Sequence, residues 1–162
     1  MLFRSALAFA IGLTGLASGA ANMGVAAAAS TLVVGSFKRN DAGVTLAVGL
    51  GGMKMMMPNL VKYPIIMLPI LLNAAISGVV VRLFNITGDK VSAGFGYVGL
   101  VGPIKAFQDL TASGLSSGAA ISKVLIAYVV VTFGVAILVQ FLFTKVFKIY
   151  TTEIFEFQGK KS

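Results

Sequence analysis

Three long uncharged runs dominate the pattern of apolar and polar positions along this chain. They cover residues 5–37, 63–81 and 124–144, and each reaches the roughly 18 residues that suggest a membrane-spanning helix. Only 11% of the residues are charged, whereas an average soluble domain is about 25% charged. A soluble protein of this size could not solvate so much apolar surface. The pattern therefore predicts an all-α, polytopic membrane protein.

The runs predict about three to five transmembrane helices. Residues 63–84 form one span, with Pro64 at its start, and residues 124–144 form the clearest span. Residues 105–122 form a more polar connector. Residues 6–37 are too long for one straight helix across a hydrocarbon core about 30 Å thick. We expect two closely packed helices there, or one helix that breaks near residues 19–24.

Two shorter apolar segments do not match a spanning helix. The uncharged part of residues 42–57 is too short to span, and residues 92–104, which we call the glycine stretch, contain four glycines and end next to a lysine. Glycine disfavours helix, and irregular backbone at membrane depth is tolerated only where protein buries it or where it lines a watery cavity. We therefore predict two broken or re-entrant segments, which enter from opposite faces of the membrane.

The net charge of +8 does not indicate nucleic-acid binding. The basic residues occur singly between apolar runs, not in clusters interleaved with aromatic residues. They are better explained as flanks of membrane spans in contact with lipid headgroups, through the positive-inside bias. That bias predicts a cytoplasmic tail over residues 145–162 and an external position for Lys90.

The absence of cysteine and histidine excludes several kinds of chemistry within this chain. Disulfides, thiolate and imidazole metal sites, histidine proton relays and phospho-histidine or phospho-cysteine intermediates all require these residues. We predict no catalytic residue, no metal and no cofactor. A methionine cluster could bind soft copper, but without Cys or His flexible packing is the better interpretation. Its members are Met53, Met55, Met56 and Met57.

Two segments together resemble a known family. They read GLGGMKMMMPNLVKYP at residues 49–64 and SAGFGYVGLVGPI at residues 92–104. In combination they resemble the membrane (IIC) component of bacterial sugar phosphotransferase systems, in the branch that includes the perfringolysin-regulator-like proteins. The likeness covers about residues 6–150. It is the likeness of a single transmembrane domain that forms the C-terminal half of a longer permease.

The resemblance implies a multi-pass permease of the bacterial plasma membrane that forms a homodimer. Such a permease takes up a sugar, which separate IIA and IIB phosphocarrier proteins phosphorylate. The better-understood sugar permeases place a Glu and a His at the sugar, but this chain has no His, and its only glutamates, Glu153 and Glu156, lie in the tail. Two alternatives therefore stay open. One is a transporter of another solute without phosphorylation, and the other is a membrane regulator that has lost transport.

The candidate substrate-binding site combines backbone groups with a few polar side chains. We expect backbone groups of the glycine stretch to face those near residues 49–59, because sugar hydroxyls pair with donors and acceptors alike. A polar residue in the middle of a span usually faces the bundle interior, either as a structural hydrogen-bonding group or as a solute contact. The candidate residues are Asn59, Asn73, Ser92, Gly94, Gly96, Gly99 and Gly102.

Overall fold

The computed structural model describes residues 12, 14–37, 39–50, 52–90 and 92–157. The start of the first apolar run and the end of the tail, including Lys160, lie outside this part. The helices in chain order are α1 (Gly15–Ser36), α2 (Ala42–Leu50), α3 (Met57–Lys62), α4 (Pro64–Phe84), α5 (Val101–Ala112) and α6 (Ser117–Val146). Within the described residues no β-strand forms, and an isolated bridge joins Gly15 to Gly88.

Three of these helices, α1, α4 and α6, are long and apolar enough to cross a membrane. The predicted all-α, polytopic fold is therefore confirmed. The prediction of a span over residues 63–84 agrees closely with α4, whose first turn is a 3₁₀ turn over Pro64–Ile66. Helix α6 is longer than the predicted span and contains two π-helical segments, Ile126–Val131 and Leu142–Val146.

Helix α1 is the centre of the bundle, because it packs against both α4 and α6, which also contact each other. Its buried face carries small residues such as Ala26, Ala27 and Ser30, which let neighbouring helices approach closely. Large apolar side chains on the outer faces of α4 and α6, among them Leu71 and Val130, are exposed. Exposed apolar faces of this kind are suited to contact with lipid.

The expectation of a break near residues 19–24 is wrong. Helix α1 runs without interruption through Gly19 and Gly24 and begins at Gly15, whose φ of 63° is left-handed. A Cβ at Gly19 would collide with the carbonyl oxygen of Ile86. This glycine therefore allows the segment after α4 to pack closely against α1, and the packing stabilises a helix that glycine alone would weaken.

The polar connector over residues 105–122 is more ordered than its composition indicates. Most of it belongs to α5 and to the first turns of α6, which pack against each other. Helix α6 begins at a Ser116 cap, whose hydroxyl accepts a hydrogen bond from the backbone N–H of Ala119. Serine is among the preferred N-cap residues, so the connector is two helical segments joined by a short turn at residues 113–116.

The first shorter segment forms a bent pair of helices. The axes of Ala42–Leu50 and Met53–Lys62 differ by 113°, which is the geometry of a broken span or a re-entrant loop. This pair packs at the C-terminal end of α1, in a core that includes Leu32 and Val48. A separate core, which includes Met23 and Tyr128, lies towards the other end of α1 and holds the glycine stretch.

Candidate functional site

The glycine stretch descends along α1 from its N-terminal end to its middle. Just before the stretch, Gly88 pairs with Gly15 through two backbone hydrogen bonds of 2.9 and 3.1 Å. At its deepest point, a Cβ on Gly96 would lie 2.9 Å from the backbone nitrogen of Ala26. Gly15 and Ala26 are about 16 Å apart at roughly 1.5 Å per helical residue. The stretch therefore reaches about half the length of α1.

Left-handed backbone makes this descent possible. Gly94, Gly96 and Gly99 have φ values of 86°, 57° and 58°, and Leu100 has a φ of 57°. Residues with a Cβ adopt these angles only at a cost, which explains why glycine recurs here. The backbone is anchored by Asn22 of α1, whose Oδ1 accepts hydrogen bonds from the N–H groups of Phe95 at 3.2 Å and Gly96 at 3.3 Å.

After Gly102 the chain returns along α5 to the N-terminal end of α1, where the glycine stretch began. Lys105 donates a hydrogen bond to Asp109 at 2.5 Å and lies 3.7 Å from Asp89. The hydrogen bond to Asp109, assisted by the charges of both carboxylates, raises the pKa of Lys105 above its ordinary value. Ser92 is tied to the same place, because its N–H donates to Asp89 Oδ1 at 2.7 Å. Residues 92–105 therefore form a re-entrant loop, closed at its mouth by an ion cluster with Asp89.

A polar network surrounds the depth that the loop reaches. The Asn73 amide of α4 donates to Thr31 Oγ1 at 2.9 Å and to the carbonyl of Thr132 at 3.0 Å, and it accepts from Ser77 at 3.1 Å. Tyr97 of the glycine stretch reaches the same level, since its hydroxyl contacts Thr132 Oγ1 and donates to the carbonyl of Tyr128. Asn73 thus links α1, α4 and α6, and Tyr97 attaches the loop to α6.

The structure places the seven predicted site residues in three regions. Ser92, Gly94, Gly96, Gly99 and Gly102 share the re-entrant loop. Asn73 lies behind the loop in the polar network.

The seventh residue, Asn59, belongs to α3, which packs at the C-terminal end of α1. Residues 49–59 therefore do not face the glycine stretch in this structure, because the two segments pack against opposite ends of α1.

The glycines of the loop differ in their surroundings. A Cβ on Gly102 would lie 2.6 Å from the carbonyl oxygen of Gly96, and one on Gly96 would lie 2.7 Å from Val25. Both positions are closed by packing. A Cβ on Gly99 would meet nothing nearer than Val101 at 3.7 Å, and Leu100 beside it is 55% exposed. The open side of the loop is therefore at Gly99 and Leu100.

Asn59 forms hydrogen bonds with the C-terminal tail. Its Nδ2 donates to the carbonyls of Ile154 and Glu156, both at 2.7 Å. Asn40, between α1 and α2, bonds the same segment: its Nδ2 donates to the Phe155 carbonyl, and its Oδ1 accepts from the N–H of Phe157, both at 2.7 Å. The tail turn, Thr152–Phe155, therefore fastens the two ends of the bent pair.

Three residues of the site were missed by the sequence analysis, namely Asn22, Tyr97 and Thr132. Asn22 carried a usable signal, because it is a lone amide within a long apolar run, as Asn73 is. Tyr97 and Thr132 carried none, since a tyrosine or threonine next to apolar residues is ordinary in a membrane protein. Among the described residues, no group of three or more Asp, Glu, His or Cys side chains could hold a metal ion.

The arrangement offers hydrogen bonds rather than charge. None of the five acidic residues lies in α1, α4 or α6. Amides, hydroxyls and backbone groups at this depth suit a neutral, hydroxyl-rich solute better than an ion.

We compared the chain with models of known protein families, with curated proteins and with solved structures. A family model described as "Phosphotransferase system, EIIC" matches residues 5–157. No curated protein and no solved structure matches the chain significantly. The match covers nearly the whole chain and agrees with the three apolar helices. The chain belongs to the phosphotransferase system EIIC family, the membrane permease components of these systems.

Proposed function

We propose that this protein takes up a sugar across the bacterial plasma membrane, for phosphorylation by separate IIA and IIB phosphocarrier proteins, and that two copies pair to do so. The family supports a permease subunit. The observation that carries the proposal is the re-entrant loop, which brings irregular, glycine-rich backbone to the middle depth of α1. Such backbone is tolerated at that depth where protein buries it or where it lines a solute path.

The solute contacts are proposed for the open side of the loop. Backbone groups at Gly94 and Gly99 would offer donors and acceptors to sugar hydroxyls. Ser92, also predicted as a contact, is buried, and its N–H and hydroxyl are bonded to Asp89, so it would act by holding the mouth of the loop. Gly96 and Gly102 are closed by packing and hold the loop against α1 and against itself. Asn73 acts from behind by fixing the helices, because its amide is already bonded to α1 and α6.

The phosphoryl chemistry is assigned to the carrier proteins. The chain has no His or Cys to accept a phosphoryl group, and its acidic residues lie outside the three long helices. The second of these observations also favours an alternative, transport of a solute without phosphorylation. A membrane regulator without transport is the third possibility.

Uptake into membrane vesicles that contain the full chain separates these functions. Labelled sugars are added on the side opposite the carriers, with and without phosphoenolpyruvate and the phosphocarrier proteins, and sugar phosphate is measured inside. The proposal predicts accumulation of sugar phosphate only with the carriers present. Uptake of unmodified solute without them supports the alternative, and no flux under either condition refutes both transport functions.

Two variants connect this assay to the loop. Gly99→Leu places a side chain on the open side and is expected to lower uptake per folded molecule. Gly96→Leu is expected to lower the amount of folded protein instead, since it would collide with α1. Unchanged uptake per folded molecule in Gly99→Leu would show that the loop does not line the path.

A further inference from the structure

A long apolar groove lies between α1 and α6. Its end at Phe133 touches the re-entrant loop, because the rings of Phe133 and Tyr97 lie 6.1 Å apart. Its volume is about 530 Å³, and its walls are mainly apolar, with Val33 and Val34 on one side and Phe133, Ile137 and Phe141 on the other. From Phe133 to Lys145 it follows α6 for about 18 Å at roughly 1.5 Å per residue. We call it the α1–α6 groove. It opens along its side to the surroundings of the bundle.

One end of the α1–α6 groove is polar and cationic. Thr144, Lys145 and Thr152 line this end, and Arg39 reaches it, because its Nε donates to Thr152 Oγ1 at 3.1 Å. Arg39 also pairs with Glu153 at 3.5 Å. Lys145 forms no ion pair with the described carboxylates, so its charge is available to an anion.

Gln140, in the wall of the groove, carries a buried hydrogen-bond donor without a partner among the described residues. Its side chain lines the groove and is only 7% exposed. One end of the amide is satisfied, since Oε1 accepts from the Tyr150 hydroxyl at 2.9 Å, but Nε2 has no partner among the described residues. Burial raises the pKa of Tyr150, which keeps its hydroxyl protonated and donating. A buried donor without an acceptor is costly, so an acceptor on a bound molecule would stabilise this site.

The lining favours a hydrocarbon chain as the occupant. A sugar or another polar solute would gain little from walls of Val, Ile and Phe. An amphiphile with one apolar chain and an anionic head matches the apolar walls, the Gln140 donor and the cationic end together.

We propose that the α1–α6 groove binds an anionic phospholipid of the surrounding membrane. One acyl chain lies between Val33 and Ile137, an ester or phosphate oxygen accepts from Gln140 Nε2, and the phosphate lies beside Lys145 and Thr152. Basic pockets between transmembrane helices recognise lipid headgroups in this way. The cationic end of this site, at Lys145 and Thr152, lies at the opposite end of the groove from Phe133, which touches Tyr97 of the glycine stretch.

Native mass spectrometry of the full chain tests whether the groove prefers an anionic lipid headgroup. The protein is released from micelles that contain equal amounts of phosphatidylglycerol and phosphatidylcholine with identical acyl chains. The wild-type protein should retain phosphatidylglycerol preferentially, and Lys145→Gln should lower that preference about fivefold, the effect of removing one basic residue near a headgroup. Lys123→Gln, near the other end of α6, is the control and should change nothing. Equal retention of both lipids by the wild-type protein, or an equal loss in both variants, overturns the proposal.

A second pair of variants tests the groove itself. Ile137→Trp fills it and should abolish retention of both lipids, while Leu138→Trp, next to it but outside the lining, should leave retention unchanged. The two positions are matched, because Ile137 is 58% and Leu138 56% exposed. If Ile137→Trp leaves lipid retention unchanged and instead breaks a dimer, the groove is a contact between subunits and the proposal is wrong.

Discussion

The two glycines Gly96 and Gly99 provide a matched test of how the re-entrant loop is held. Their φ values are 57° and 58°, so alanine incurs the same left-handed strain at both, about 1–2 kcal/mol. Their surroundings differ. A Cβ at Gly96 lies 2.7 Å from Val25 Cγ1 and 2.9 Å from the nitrogen of Ala26, whereas one at Gly99 lies 3.7 Å from its nearest neighbour.

The expected magnitudes follow from this difference. The contact with Ala26 is with helix backbone, which cannot move aside as a flexible side chain does, and overpacking of this kind costs about 1–3 kcal/mol. Gly96→Ala should therefore lower the free energy of unfolding by about 2–5 kcal/mol, and Gly99→Ala by about 1–2 kcal/mol. Loss of glycine freedom in the unfolded chain is the same for both and cancels in the comparison.

The assay is reversible unfolding of the purified full chain in mixed micelles, with the free energy of unfolding obtained from denaturant titration. Gly78→Ala is the control for an added methyl group, because a Cβ at this α4 position meets nothing within 4 Å. It should be neutral or slightly stabilising. If Gly96→Ala and Gly99→Ala differ by less than about 0.5 kcal/mol, the scatter of neutral substitutions, then Gly96 does not pack against α1 and the described path of the loop is wrong.

Other contacts give four further predictions. Asn73→Leu should lower the free energy of unfolding by about 1–2 kcal/mol, since each hydrogen bond between membrane helices averages about 0.6 kcal/mol; an unchanged denaturation midpoint contradicts this. Phe155→Ala empties a fully buried position and should cost up to about 3–5 kcal/mol or release the tail, which limited proteolysis detects; a stable, protease-resistant variant would show that the ring does not anchor the tail. The hydrogen bond to Asp109 raises the pKa of Lys105 above its ordinary value of 10.5. The stabilising contribution of Lys105 is therefore complete below pH 10.5 and is lost only as the pH rises through the raised pKa. The melting temperatures of wild type and Lys105→Gln should differ by the same amount at about pH 7 and about pH 9; a difference that is smaller at pH 9 contradicts this. Single cysteines at Lys90 and Lys160 should react from opposite sides of the membrane, and labelling of both from one side refutes the proposed orientation.

The spans were predictable because the length of an apolar run appears directly in the sequence. Helix α4 matches such a run closely and α6 contains another, and the interior position of Asn73 follows from one amide among apolar residues. The same reasoning applies to Asn22, but the glycine and alanine residues around it indicated a break in the helix rather than a binding face. The Ile86 backbone packs against Gly19, and this contact stabilises the continuous helix. No local sequence pattern reveals a contact between these two positions.

The roles of individual glycines were not predictable. Gly96 and Gly99 have the same residue type, the same apolar neighbourhood and nearly the same φ, yet one contacts α1 and the other lies open. The difference depends on which elements lie nearby in three dimensions. The docking of the tail was unpredictable for the same reason. A Cβ on Gly35 would lie 2.5 Å from Phe155 Cδ1, but the two residues are far apart in the sequence.

The two re-entrant segments are closed by different chemistry, and this difference bears on which of them can move. The bent pair is fastened by buried contacts, since Asn59 is 1% and Phe155 0% exposed. The mouth of the glycine stretch is closed by an ion cluster in which Asp89 is 45% exposed, and exposed ion pairs contribute little stability. Breaking that ion pair therefore needs less free energy than releasing the tail. The rest of the loop is held more firmly, because Asn22 and Tyr97 attach its deepest point and α5 buries Ala106 and Leu110 in the core.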